Sequence, residues 1–366
     1  MKKRKFTSLV IVISIIIATF TACNFPVSEA ATEPPTTAPS ATELVAIVVT
    51  ATSAPPTEIP IQHQIIPVSL PENRSSHAGD YDSSVTAELK KSNGGDRFTF
   101  ERFERPFNAN TMDVYYPELD IVDTFVYQDT TWIYGTIQVK DRAAVNSSPY
   151  MFAMQLDIQV DGKGDWLVIA SNPASTDWTV SGVQVFQDVD SSVGDLTAML
   201  TDENANGDGF ETMMFDQGKG DDPDSAWIRV SPNDPNIVEI AVKRSLLGNP
   251  NLYLIDMWAG HATLDPAMFD YSDHFTHEQA GAADPELPIF YPIKEVYELD
   301  NSCRMAVGFQ PTGKEPGLCP VLAPVNPGDP PVACNPTRTD LGLCNQQPGG
   351  TWNYTTCQCD VPPPIP

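Results

Sequence analysis

The stretch Phe152-Ala153-Met154-Gln155-Leu156-Asp157-Ile158-Gln159-Val160 decides the fold class. Phe152, Met154, Leu156, Ile158 and Val160 recur at every second position, which places them on one face of a strand. The other face, Ala153, Gln155, Asp157 and Gln159, reads as wet. Asp161-Gly162-Lys163-Gly164-Asp165 then supplies turn residues before Trp166-Leu167-Val168-Ile169-Ala170, so the two runs read as a hairpin. Outward from it, residues 121–127 and 132–139 are rich in β-branched and aromatic side chains around the turn-like Gln128-Asp129-Thr130. Further short runs follow at 178–186, 210–215, 226–230, 237–242, 252–258, 295–299 and 303–309. No long stretch has a 3.6-residue period, so helix should be scarce. The expected fold is all-β, an antiparallel sandwich of jelly-roll or Greek-key type.

The flanks are of different character. Lys2, Lys3, Arg4 and Lys5 precede an uncharged run over residues 6–22, the form of a secretory signal. That run ends Phe20-Thr21-Ala22-Cys23, which resembles the lipobox of bacterial lipoproteins. The resemblance implies cleavage after residue 22, diacylglycerol on Cys23, and a membrane-anchored protein at a bacterial cell surface or in a periplasm. Ordinary cleavage at Ser28-Glu29-Ala30 and secretion is the alternative. Residues 23–70 are dominated by Thr, Pro, Ala and Ser and read as an extended, disordered tether. The sandwich is expected over 71–315, followed by a cysteine- and proline-rich tail over 316–366.

Seven cysteines occur, and beyond Cys23 all lie near the C-terminus: Cys303, Cys319, Cys334, Cys344, Cys357 and Cys359. In an exported chain this even set reads as up to three disulfides whose connectivity the sequence leaves open; Cys303 and Cys319, if they pair, close a short loop. Zinc is the rival reading, although the paired C-x₂-C knuckles of structural zinc modules are missing. Asp and Glu number 48 against 21 Lys and Arg, a formal charge of −27. That balance argues against nucleic acid, whose phosphates call for a basic surface.

Asp120-Ile121-Val122 leading to Asp129-Thr130-Thr131-Trp132-Ile133-Tyr134-Gly135, and later Val238-Glu239-Ile240-Ala241-Val242-Lys243-Arg244-Ser245-Leu246-Leu247-Gly248, resemble segments of family 9 carbohydrate-binding modules and DOMON sandwiches. The resemblance implies an exported β-sandwich that binds a ligand, and it transfers no ligand residues.

Two motifs carry candidate chemistry. In Asp202-Glu203-Asn204-Ala205-Asn206-Gly207-Asp208-Gly209-Phe210-Glu211, oxygens of Asp202, Asn204, Asn206, Asp208 and Glu211 can converge on calcium, with Gly207 permitting the sharp turn. The loop resembles those of EF-hands, dockerins and excalibur-type modules, with Met213 where an EF-hand carries its closing Glu. An Asn/Gly/Asp turn between strands uses the same residues. Asp270, Asp273, His274 and His277 form an alternative metal set, without the helical H-E-x-x-H spacing of metalloproteases. The tryptophans Trp132, Trp166, Trp178, Trp227 and Trp258 fall within strand-like runs and read mostly as core. The expected function is a cell-surface lipoprotein with a calcium-stabilised sandwich that binds a glycan or another envelope component. A structural or adhesive envelope protein, and a metal-dependent hydrolase built on His274 and His277, are the alternatives.

Overall fold

The computed structural model describes residues 61–92, 95–143, 149–194, 202–203, 207–261, 264–282, 292–313, 315, 317–319, 351–353 and 358–360. In chain order the strands are β1 (Ser76–Gly79), β2 (Glu104–Arg105), β3 (Ile121–Gln128), β4 (Trp132–Val139), β5 (Met151–Asp157), β6 (Trp166–Ser171) and β7 (Val183–Gln187). They continue with β8 (Thr212–Asp216), β9 (Ala226–Val230), β10 (Ile237–Lys243), β11 (Tyr253–Gly260), β12 (Leu299–Asn301) and β13 (Met305–Val307). One sheet runs β1-β3-β4-β10-β9; the other runs β2-β12-β11-β5-β6-β7-β8, with β13 also paired to β11. The strands within both sheets pair antiparallel, and the fold is the all-β sandwich that the alternation implies. In the C-terminal region β14 (Thr351–Asn353) and β15 (Gln358–Asp360) form an antiparallel pair.

Period-two patterning builds the core between the sheets. Ile133, Ile137, Val238, Ile240 and Val242 of the five-stranded sheet meet Phe152, Met154, Leu156, Ile255 and Met257 of the other. Gly135 on β4 is required by this closeness. A Cβ there would lie 2.5 Å from Met257 Cε and 2.8 Å from Met154 Sδ.

The wet face expected of β5 is not wet. Ala153, Gln155 and Asp157 are all buried, and every residue of β11 is buried. A second apolar layer covers this side of the larger sheet: Ala153, Leu167, Ile169 and Trp258 pack with Phe103, Phe210, Phe269, Tyr271 and Val296. The covering residues come from loops and from two short helices, α1 (Tyr271–His274) and α2 (His277–Ala280). Alternation in a strand reports polarity, and here the polar side chains are satisfied internally rather than by water. Asp157 Oδ2 accepts Gly162 N at 2.8 Å. The fully buried Arg304 donates Nη1 to Gly162 O at 2.6 Å and pairs with Glu101. Burial pushes Glu101 up to about 8 and Asp256 to about 6, with Arg304 opposing both shifts.

The end of the Thr/Pro-rich stretch lies against the sandwich. Asp224 accepts the backbone N–H groups of Gln64 and Ile65, each at 2.8 Å, and contacts His63 Nδ1 at 2.7 Å. Val68 O accepts Trp178 Nε1 at 3.1 Å. At the other end, Cys303 and Cys319 form a disulfide, one of those expected of the even cysteine set. Backbone bonds from Arg304 N to Gly317 O and from Cys319 N to Arg304 O continue that tie. No helix among the described residues is long and apolar enough to cross a membrane.

Cys303 and Cys319 are 16 residues apart, so in the chain-entropy account their bridge removes about 3 kcal/mol of freedom from the unfolded state. The double variant Cys303→Ser/Cys319→Ser should lose about that much stability in denaturant unfolding. An unchanged midpoint and slope would contradict this role.

Candidate functional site

The two motifs singled out by sequence lie against each other. Asp202 accepts His277 N at 2.8 Å and meets His277 Nδ1 at 2.7 Å. Those hydrogen bonds from His277 hold the Asp202 carboxyl below its usual range. Gly207 lies against Asp270: a Cβ at Gly207 would fall 1.7 Å from Asp270 Oδ2. Gly209 has φ +66, and Phe210 N donates to Pro266 O at 2.8 Å. These glycines therefore serve the close approach of two segments, a packing role that the loop motif conceals. Asn204 and Asn206 lie outside the described residues.

The remaining members of the motif have other neighbours. Ser192 Oγ donates to Asp208 Oδ1 at 3.4 Å. Glu211 joins Asp188 and Asp190 in a set whose ligand oxygens lie within 4.8 Å of one another. The backbone claims much of that set. Glu211 Oε1 accepts Val189 N at 3.0 Å, and Asp188 accepts N–H groups from Asp190, Ser191 and Val193. This arrangement closes the turn after β7.

His274 and His277 do not converge. His274 Nδ1 lies 3.3 Å from Asp270 Oδ1, while His277 turns to Asp202. Asp270 is fully buried and its carboxyl is raised, chiefly by burial. Asp273 is buried on α1. Thr276 caps the N-terminus of α2 with a capping box completed by Gln279, so the sequence around His277 is that of a helix start. Among the described residues neither histidine belongs to a set of three ligand atoms within 4.8 Å.

Sequence reasoning missed the outer face of the five-stranded sheet. Register places Tyr127 on β3 opposite Tyr134 on β4, Tyr134 opposite Ala241 on β10, and Ala241 opposite Trp227 on β9. The next row reads His77, Phe125, Thr136, Glu239 and Arg229 across five strands. Trp132, Tyr134 and Trp227 are buried within this layer, as are Trp166 and Trp258 elsewhere, so the core reading holds for these four tryptophans. Phe125, Tyr127 and Trp178 remain half-buried. Arg229 stands 4.3 Å over the Trp178 ring and pairs with Glu239 at 2.7 Å. A polar depression of about 700 Å³, lined by Gln128, Asp129, Thr130, Arg244, Asn249 and Asn251, opens at the β3–β4 turn. Alternation along β3 and β4 is visible in the sequence, whereas the β9–β10 register that aligns the rings is not.

Among the cysteines, Cys23, Cys334, Cys344 and Cys357 lie outside the described residues, and Cys359 is on β15 opposite Trp352. A further acidic set, Glu104, Asp120 and Asp300, is buried where β2, β12 and the start of β3 meet. No family model, curated protein or solved structure matches this chain.

Replacing Gly207 by Ala sets a methyl group into the Asp270 carboxylate and should cost about 1–3 kcal/mol, as overpacking generally does. Chemical unfolding of the variant checks this. Stability equal to the wild type would show that the 202–211 loop does not rest on Asp270.

Proposed function

We propose that the chain is a lipid-anchored, exported binding module that holds glycan against the outer face of its five-stranded sheet. The observation behind this reading is the set of half-buried rings Phe125, Tyr127 and Trp178 on that face, set over the buried Tyr134 and Trp227. Flat aromatic faces suit the apolar faces of sugar rings, and the polar depression at the β3–β4 turn adds hydroxyl-binding partners to one end. The surplus of carboxylates keeps the remainder of the surface soluble. Cys23, at the end of the lipobox-like run, provides the anchor, and the Thr/Pro-rich stretch holds the sandwich away from the membrane.

A panel of neutral and acidic polysaccharides presented to the full chain tests the ligand class. Tyr127→Ala and Trp178→Ala should each weaken retention about two- to twelvefold, the equivalent of about 0.5–1.5 kcal/mol per ring. Wild-type retention in both variants, or no retained glycan, would reject this face as the site. In a bacterial host the protein should take up radioactive palmitate, and Cys23→Ser should abolish the label. Label persisting in that variant would reject the anchor.

A further inference from the structure

We infer that Glu104, Asp120 and Asp300 form a buried site for a single calcium-type cation, one that ties the two sheets together. The three carboxylates each offer an oxygen within 4.8 Å of the others, and all three residues are 2% exposed or less. Calcium takes oxygen ligands at about 2.3–2.6 Å, so oxygens sharing one ion lie up to about 5 Å apart. The smaller shell of magnesium, at about 2.0–2.1 Å, suits a tighter set.

Each carboxylate is aimed by a donor of its own. Ser83 Oγ donates to Glu104 Oε1 at 2.7 Å. Tyr115 Oη donates to Asp120 Oδ2, and Ser83 N to Asp120 Oδ1 at 3.3 Å. Ile121 N donates to Asp300 Oδ2 at 2.7 Å. Asp300 Oδ1, the second oxygen of a fully buried carboxylate, has no hydrogen-bond partner among the described residues. A buried acceptor left without a donor is costly, and a ligated cation satisfies it.

Positive charge from side chains goes elsewhere. Among the described residues none of the three forms an ion pair with Lys, Arg or His. Arg105 follows Glu104 directly but turns to Asp96, at 2.6 and 3.0 Å, and to the carbonyls of Ala280, Val296 and Gly281. Asp80, buried just beyond β1, adds a further negative charge beside the set. A divalent ion offsets two of these charges at once. The donor set is oxygen only, which selects a hard cation over zinc or copper.

The inference is independent of the glycan reading and of the 202–211 loop. The full chain, stripped with EDTA and then given millimolar calcium, should melt about 5–10 °C higher once calcium is a hundredfold above Kd. Magnesium should give a smaller shift. Asp300→Asn keeps the shape of the site and removes a buried charge, so it should fold without calcium and lose the calcium-dependent rise. Asp202→Ala should retain that rise. Terbium supplies a second readout, because Tyr115 touches Asp120: tyrosine-sensitised emission should appear in the wild type, fall on addition of calcium, and drop in Tyr115→Phe. Indifference of the wild-type melting temperature to calcium would overturn the site and leave carboxyl groups that share protons. A rise that survives in Asp300→Asn but disappears in Asp202→Ala would move the ion to the surface loop and equally overturn it.

Discussion

Three carboxylates buried together are the constraint on which the joining of the sheets depends. Asp300 belongs to β12 of the larger sheet, and its Oδ2 accepts the N–H of Ile121, the first residue of β3 in the other sheet. Glu104 faces Asp300 across the short β2–β12 pairing, and Asp120 immediately precedes β3. Burial pushes Asp120 up to about 8, and both burial and neighbouring carboxylates raise Glu104 and Asp300 well above their ordinary range. Like charges in a dry site repel strongly, so this corner must bind either protons or a cation for its strands to stay together. The inferred ion resolves that repulsion and makes the acidic corner a clamp.

The rest of the sandwich follows a similar logic on the far side of the larger sheet. A strand that is polar at alternate positions would ordinarily face water, yet β5 and β11 are covered twice, by the central core and by the layer around Trp258 and Phe269. Polar side chains trapped there find partners in Arg304, Asn301 and the 158–165 turn. Asn301 Nδ2 donates to Glu101 O at 2.9 Å, and Asn301 Oδ1 accepts Phe103 N at 2.8 Å. The Cys303–Cys319 bridge flanks Arg304 and holds the returning segment beside it. The large sheet is thus sandwiched between two apolar layers, while on the outer face of the five-stranded sheet Trp132, Tyr134 and Trp227 are buried and Phe125, Tyr127 and Trp178 stay half-buried.

Local chemistry was legible in the sequence wherever it depended on neighbouring residues. Of the alternating 152–160 run, the residues up to Asp157 form β5, residues 158–160 already belong to the turn, and the hairpin closes with Leu156 paired to Trp166. The even cysteine set likewise pointed to disulfides, of which Cys303–Cys319 is formed, although the pairing itself was not legible. Whatever depended on tertiary placement was not legible. Burial of Gln155 and Asp157 requires a cover drawn from distant loops, which no strand pattern announces. Gly207 and Gly209 look like a cation loop because metal loops and tight contacts both demand a residue without a Cβ. Glu104, Asp120 and Asp300 share no motif, since their meeting depends on β2 reaching β12 across most of the chain.

In the inferred arrangement a metal ion, rather than shared protons, holds the buried carboxylate corner together. Anomalous diffraction from a crystal grown in calcium and soaked in terbium tests it most directly. One strong peak is expected among the carboxylate oxygens of Glu104, Asp120 and Asp300. A well-ordered corner without a peak, its carboxyl oxygens in direct short contact, would contradict it.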